Sequence, residues 1–408
     1  MNYATWKKQL SKPEILSILD QGTIVTPFEL IEDIVDKLPI MWDNPNMKFL
    51  DPCCGRGAFL FVIKHRLMEF HSEQHIVENM LYGVDISGKS VAFTKTVLNP
   101  ENKYTDNIEC NDSLTKEWNM KFDVVIGNPP YQDSTASSTS NSSLWVDFSL
   151  AATKWVNEGG WIALVTPQSW MKPNHKLLKW FKSHHMSFVN TNIKHYFPGV
   201  GSTFCYWIAS PDVVDKVTTV DAVDVDLRTA PYVVPGELLS IHSKVVFNTA
   251  TKFVVASDQQ TAYTLKLTRG SPDLSKVKTD TCMYPIFHTN AQTLYCANKT
   301  KNFDDAKVMF SDSGYFRPRY DAGMTGSSQR CYYILVTNES EGTVLVDVLS
   351  SRLYQFIVNT AKWSGFSDLT VLRSLPAVDL TRSWTDGELY EHFNLTPEEI
   401  KLIEETVK

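Results

Sequence analysis

The chain has 408 residues, 43% of them hydrophobic and 21% charged, with 39 Lys and Arg against 46 Asp and Glu for a formal net charge of −7. That length suggests two domains, and a composition able to bury a large core excludes disorder as the dominant state. No apolar run approaches the roughly 18 to 20 residues of a membrane span, and the start MNYATWKKQLSKPEIL lacks a continuous apolar signal core, so a cytoplasmic protein without membrane contact is expected. Residues 1 to about 210 alternate helical and strand patterns with short turns, as a doubly wound α/β sheet does. Thr26-Pro27-Phe28-Glu29 supplies an N-cap, a proline at the first helical position and a capping-box glutamate, followed by Phe28, Ile31, Ile34, Val35 and Leu38 at helical spacing. Strands are predicted over 47–50, 80–84, 122–126 and 161–165, each apolar enough to be buried on both faces. The polar run DSTASSTSNSS over 133–143 predicts a mobile loop. Beyond Pro211, short β-rich segments with frequent Thr, Ser, Pro and Gly predict a second domain over 211–382, forming a cleft with the first. The segment 383–408 returns to helix, with capping signals at Thr385/Glu388 and Thr396/Glu399.

The seven cysteines, Cys53, Cys54, Cys110, Cys205, Cys282, Cys296 and Cys331, are odd in number and contain no C-x-x-C pair, so neither a disulfide framework nor a metal site is indicated. The acidic balance, taken over the whole chain, argues against a polyanion as partner.

The loop Asp51-Pro52-Cys53-Cys54-Gly55-Arg56-Gly57-Ala58-Phe59 follows a strand and opens a helix, where open α/β sheets bind cofactors. It is not the dinucleotide fingerprint, because Leu60 stands where the third glycine would fall, and no Gly-Lys-Ser/Thr follows to make a phosphate loop. An acid before a short glycine turn suits a ligand with an ammonium group and hydroxyls, and S-adenosylmethionine fits that description. A tight turn in any α/β protein reads the same way, and the loop alone does not decide between them. Asp85, which ends the next strand and is followed by Ile86, has acceptors for two ribose hydroxyls. Asp112, beside Ser113, has an acceptor for an exocyclic amine. The helix start at Thr26-Pro27 adds backbone N–H groups suited to a carboxylate.

Asn128-Pro129-Pro130-Tyr131 directly follows the strand predicted over 122–126. Its prolines stiffen the backbone, so the Asn128 side chain and the Pro129 carbonyl can present acceptors in one direction, as a planar amino group requires. Holding both amino hydrogens while the nitrogen moves from sp2 toward sp3 frees its lone pair to attack a methyl sulfonium, and the contact strengthens toward the transition state. Tyr131 would stack on the ring that carries the amine.

The glycine loop and Asn128-Pro129-Pro130-Tyr131 resemble two motifs of class I S-adenosylmethionine-dependent methyltransferases that act on exocyclic amino groups. Thr26-Pro27, Asp85, Asp112 and the segment 159–167 resemble the others, in the order of gamma-class N6-adenine DNA methyltransferases of restriction-modification systems. The resemblance covers about half the chain. It implies a Rossmann-like doubly wound sheet with a C-terminal mixed, β-rich target-recognition domain, S-adenosylmethionine as cofactor and double-stranded DNA as partner. A separate cognate restriction endonuclease and a monomeric state go with it. By similarity Asn128, Pro129, Pro130 and Tyr131 are catalytic, and Thr26, Pro27, Asp51, Cys53, Gly55, Gly57, Phe59, Asp85, Ile86, Asp112, Ser113 and Asn128 contact the cofactor. His195 to Phe204 resembles the motif whose aromatic packs on the far face of an extruded adenine, with Phe197 the candidate, although a core phenylalanine at a hairpin reads equally well.

From Ala262 to Tyr332 the chain has ten Lys or Arg against six Asp or Glu, whereas Ser383 to Lys408 has seven acids and two bases. The negative excess thus sits outside the middle region, and the terminal helices are expected to face away from the cleft. The mixture Tyr315-Phe316-Arg317-Pro318-Arg319-Tyr320 suits phosphate and groove contacts, making Arg317, Arg319, Tyr320 and Arg330 the DNA-binding candidates. Two other readings compete: a protein glutamine methyltransferase, which also uses Asn-Pro-Pro-Tyr but places its extra mass at the N-terminus, and a catalytically silent DNA-binding protein, which the intact Asn128 and Tyr131 disfavour. Cytosine C5 methylation is disfavoured because the Pro52-Cys53 pair lies in the glycine loop.

Overall fold

In the computed structural model, which describes residues 3–11, 25–131, 143–197, 203–212, 217–258, 274–363 and 366–407, the chain divides into two compact units. The first comprises Met1–Trp170 with Asn174–Thr229, and the second Met171–Pro173 with Ala230–Lys408. Of the loop expected over 133–143, only Ser143 lies within the described residues.

The first unit is built on strands β1 (Phe49–Asp51), β2 (Leu81–Asp85), β3 (Asn107–Cys110), β4 (Phe122–Gly127), β5 (Val156–Pro167), β6 (His185–Asn190), β7 (Phe204–Ser210), β8 (Thr218–Val220) and β9 (Val223–Val225). They form one sheet in the order β3-β2-β1-β4-β5-β7-β6-β8-β9. Strands β1 to β5 pair in parallel, while β7 runs antiparallel to both β5 and β6. Strand β7, Phe-Cys-Tyr-Trp-Ile-Ala-Ser, is buried at every position, as a strand covered on both faces requires. The helices Phe28–Asp36 and Ala58–Leu67 pack on each other, the first burying Phe28, Leu30, Ile31, Ile34 and Val35 at 3.6-residue spacing.

Three local expectations are corrected. Thr26 does not cap the first of these helices: the carbonyl of Pro27 accepts the first helical bonds from Leu30 and Ile31, which makes Pro27 the N-cap, with no side-chain cap. Glu29 pairs instead with Lys7 at 3.2 Å. Strand β3 was hidden from the hydrophobic pattern because Asn-Ile-Glu-Cys sits at a sheet edge and buries only Ile108. Finally, β8 and β9 extend the first sheet, so the first unit reaches Thr229 rather than stopping near 210.

The second unit holds two four-stranded sheets. One has the order β10-β17-β14-β15, from Ala256–Ser257, Cys331–Leu335, Ala306–Ser311 and Arg319–Ala322. The other is β11-β13-β12-β16, from Leu274–Ser275, Gln292–Cys296, Tyr284–Thr289 and Gly326–Ser327. The β-rich character ends at Leu335, however, because helices Glu339–Ser350 and Arg352–Thr360 follow. Their Val, Ile and Thr content resembles strand, but Val344, Leu345, Val348 and Leu349, then Leu353, Tyr354, Phe356 and Ile357, are buried at helical spacing. Both terminal capping boxes form, Thr385 with Glu388 and Thr396 with Glu399, and the two short helices they start pack on Arg352–Thr360 within the same unit. Among the described residues no helix is long and apolar enough to cross a membrane.

Lys307 anchors the β14–β15 hairpin from inside. Its Nζ donates to Asp321 Oδ2 at 2.8 Å and to the carbonyls of Phe303 and Asp305 at 3.0 and 2.9 Å, with the two charged side chains only 1% and 8% exposed.

Candidate active site

Strand order reverses between β1 and β4, which pair with each other while β2 lies on one side and β5 on the other. At such a switch point the loops leaving the carboxyl ends part and open a crevice. Asp51 ends β1 and Gly127 ends β4, so the glycine loop and Asn128-Pro129-Pro130-Tyr131 meet here for topological reasons.

Two close approaches around the glycine loop leave no room for a Cβ. Gly57 has φ 74°, and a Cβ there would lie 2.8 Å from Thr94 Cγ2; Thr94 in turn donates from its hydroxyl to the Gly55 carbonyl at 2.8 Å. At the carboxyl end of β4, a Cβ on Gly127 would sit 2.7 Å from Asp51 Oδ1. Asp51 is 1% exposed and accepts from the Cys53 N–H at 3.1 Å, and burial, with Asp85 nearby, pushes its carboxyl up to about 8. Burial likewise raises the thiols of Cys53 and Cys54 well above the ordinary range, so they are inert as nucleophiles at neutral pH. Asp85 accepts from the Gly55 N–H at 2.8 Å and the Ser87 N–H at 2.9 Å, which orients its carboxylate against the glycine loop. Next to it Ile86 is 79% exposed, an apolar surface at the end of a strand. Asp112 caps the turn that follows β3 by accepting from Leu114 N–H at 2.9 Å, and the buried Ser113 hydroxyl donates to the Pro52 carbonyl at 2.5 Å, which ties this turn to the glycine loop. Phe59, expected beside the cofactor, is 4% exposed and packs into the core of the first unit, as its place in the first turn of a covered helix dictates.

Asn128 is gripped at both ends of its amide. Its Nδ2 donates to Thr26 Oγ1 at 3.0 Å, and its Oδ1 accepts from the Tyr131 hydroxyl at 2.7 Å. Thr26 is 6% exposed, so this hydroxyl is a buried polar group whose partner lies 102 residues away. The Tyr131 ring stacks on Phe204 with centroids 5.0 Å apart, and burial raises its phenol. Phe197 also packs on Phe204, at 5.2 Å, and is 3% exposed. In this conformation Phe197 is a core residue, and stacking on a base would require it to swing out. The adjoining segment 198–202 lies outside the described residues. Neither the Thr26 contact nor the Phe204 platform had a local signature, since each joins segments far apart in sequence. Arg56, the cation of the loop, is 6% exposed with its guanidinium 5.7 Å over the Phe28 ring, and burial pulls its pKa down to about 10.

The four nucleic-acid candidates of the second unit have different surroundings. Arg317 is exposed, with its guanidinium 5.3 Å over the Tyr315 ring, and Arg319 stacks 3.8 Å over Phe287. Tyr320 is packed onto the helix Glu339–Ser350: a Cβ on Gly342 would lie 2.3 Å from Tyr320 Cδ2. Arg330 is paired with Asp312 at 3.3 Å and stacks 4.7 Å over Phe366. Tyr320 and Arg330 therefore hold the unit together.

Residues 79–197, which span β2 to the end of the described stretch at Phe197, match the Eco57I restriction-modification methylase family. The match covers less than a third of the chain. A curated relative of Heyndrickxia coagulans, a type II restriction enzyme and methyltransferase, is 29% identical over 199 residues, 45% of this chain and 30% of that protein. The type II methyltransferase M.VspI of a Vibrio species is 30% identical over 159 residues, 36% of each chain. The chain thus spans about a third of the length of these relatives. Among solved structures, the type ISP restriction-modification enzyme LlaGI, a nuclease-deletion mutant in complex with a DNA substrate mimic, superposes with a TM-score of 0.52 at 11% identity, over 87% of this chain and 45% of that one. At that identity the likeness concerns the fold alone, and it includes the mostly parallel sheet of the first unit.

Proposed function

We propose that the chain transfers a methyl group from S-adenosylmethionine to the N6 amino group of an adenine flipped out of a specific duplex DNA site, as a modification methyltransferase. The observation that carries the reading is the hydrogen-bond chain Thr26–Asn128–Tyr131 at the carboxyl end of β4, beside the buried Asp51 at the sheet's switch point. The donor set fits the cofactor: a buried carboxylate for an ammonium, Asp85 for hydroxyls, exposed Ile86 for the face of an apolar ring, and glycines at 57 and 127 that let the loop close on Thr94 and the end of β4 approach Asp51. When bound, S-adenosylmethionine supplies an electrophilic methyl on a sulfonium.

The protein's part is to make an aromatic amine nucleophilic. Asn128 Oδ1 and the Pro129 carbonyl accept the two amino hydrogens, and their pull grows as the nitrogen loses conjugation with the ring, so binding energy is spent at the transition state. Thr26 and Tyr131 keep the amide from rotating, which removes a reorganisation cost at the moment of reaction. Tyr131, resting on Phe204, offers its other face to the base. The core position of Phe197 makes it the weaker half of any clamp. Adenine in a duplex is inaccessible to such a site, which is why extrusion is required. A single-strand substrate would need none.

The experiment is incubation with methyl-labelled cofactor and duplex DNA, followed by nucleoside analysis. Label in N6-methyladenine is the expected result, and label confined to protein would overturn the proposal. Asn128→Ala should lose turnover.

A further inference from the structure

In the second unit the loop between β14 and β15 presents an arrangement that the methyl-transfer site does not use. Phe316 is buried and packs on Phe310 at 5.1 Å, which turns its two neighbours, Tyr315 and Arg317, to the surface; Tyr315 is 74% exposed. An exposed tyrosine on a mobile loop would mean little. This loop, though, is held on three consecutive carbonyls. Lys362 Nζ donates to that of Gly314 at 2.8 Å, Asn290 Nδ2 to that of Tyr315 at 2.7 Å, and Gln355 Nε2 to that of Phe316 at 2.9 Å. Three side chains from three separate segments thus fix this backbone, and on its outer side the Arg317 guanidinium lies 5.3 Å over the exposed Tyr315 ring.

A second aromatic and cation pair adjoins the first. Phe366, 45% exposed, is bridged to Ser313, and Arg330, anchored by Asp312, stacks on its ring. Over 312–318, 330, 362–363 and 366–368 this surface carries three cations, Arg317, Arg330 and Lys362, against two carboxylates, Asp312, which pairs with Arg330, and Asp368, which caps the helix that follows it. The charge is complementary to a polyanion, in a chain whose net charge is −7.

We propose that Tyr315 and Arg317 form a base-reading pair for duplex DNA, with Arg317 addressing a guanine in the major groove and Lys362 lying against the flanking backbone. The inference rests on the reading of the chain as a DNA methyltransferase and adds the residues that choose its site. A phosphate contact needs only a charge, which a freely rotating lysine supplies. A guanidinium laid on an aromatic ring is restricted in plane while its outer N–H fork stays available, and that fork matches O6 and N7 of guanine. The prior ordering of the loop lowers the entropy cost of the contact.

The test uses the whole chain. Wild type, Tyr315→Ala and Arg317→Lys are each put through selection on random-sequence DNA duplexes, and in parallel expressed in a host without adenine methylation whose DNA is then sequenced for N6-methyladenine. Tyr315 is largely exposed and Arg317→Lys keeps the charge, so both variants should melt like wild type. The expected result is a motif relaxed at the same G·C position in both variants, with discrimination there reduced roughly 10- to 100-fold and an unaltered salt dependence for Arg317→Lys. An unchanged motif in either variant overturns the inference. A wild-type motif recovered by selection without any N6-methyladenine in the host would overturn the methyltransferase reading while leaving the base-reading pair in place.

Discussion

Replacing Thr26 with valine keeps the shape of the side chain and removes one atom, the oxygen that accepts from Asn128 Nδ2 at 3.0 Å. The site is 6% exposed, so water does not replace that oxygen freely. Losing a buried hydrogen bond in this way costs about 1–3 kcal/mol. Part of the loss falls on the resting enzyme, and the part that falls on the transition state slows methyl transfer, up to roughly 5- to 150-fold if all of it does. Tyr131→Phe removes the other restraint, the hydroxyl that donates to Asn128 Oδ1 at 2.7 Å, and leaves the ring on Phe204. Because both act through one amide, the double variant should be less impaired than the product of the single effects, with a coupling of about 0.5–3 kcal/mol. Single-turnover methylation gives the rates, and calorimetry gives the cofactor affinity. Thr26→Ser should recover most of the rate. The reasoning fails if Thr26→Val weakens cofactor binding and leaves the single-turnover rate unchanged, since Thr26 would then serve the cofactor alone, or if the two substitutions are strictly multiplicative.

Asp51, pushed by burial from 3.8 to about 8, holds its proton in the folded chain over the pH range where the unfolded chain has lost it. Its contribution to stability is therefore complete below about pH 4 and lost as pH rises through about 8, so urea titrations of wild type against Asp51→Asn should diverge with that sign. A bound ammonium favours the ionised carboxylate, and cofactor affinity should rise with pH up to about 8 in wild type and stay flat in Asp51→Asn; a flat wild-type profile would count against a direct Asp51 contact. Gly127→Ala would set a methyl group 2.7 Å from Asp51 Oδ1, an overpacking worth about 1–3 kcal/mol, seen as cofactor affinity reduced roughly 5- to 150-fold; normal affinity would show that the Asp51 side chain gives way without loss. Lys307→Met leaves Asp321 buried without its cation and should lower the stability of the second unit by about 3–5 kcal/mol in chemical denaturation, and a loss below about 1 kcal/mol would mean that Asp321 is satisfied by the backbone N–H groups of Gly323, Met324 and Thr325 alone.

What the sequence by itself determined about this protein is whatever depends on neighbours in the chain. The turn at Gly55 and Gly57, the stiffness of Asn128-Pro129-Pro130-Tyr131, the capping boxes at Thr385 and Thr396, and the apolar strands β1, β2, β4 and β5 are short-range consequences of backbone freedom, hydrogen-bond reach and burial period. Where local rules pointed the wrong way, a distant contact had overruled them. Thr26 has the chemistry of an N-cap, yet its hydroxyl is taken by a residue 102 positions later. Phe197 sits in a motif that suggests an exposed clamp, yet Phe204 draws it into the core. The helices after Leu335 are rich in β-branched residues, and it is the burial of one face, of Glu339–Ser350 against β14 and β15 and of Arg352–Thr360 against its neighbouring helices, that makes them helical. Arg317 and Arg330 look alike as basic residues beside aromatics, and only the ion pair with Asp312 separates the structural one from the one left outward. Hydrogen-bond partners and burial are set by which segments the fold brings together, so composition and spacing locate the chemistry of the site while tertiary contacts decide how each group in it is held.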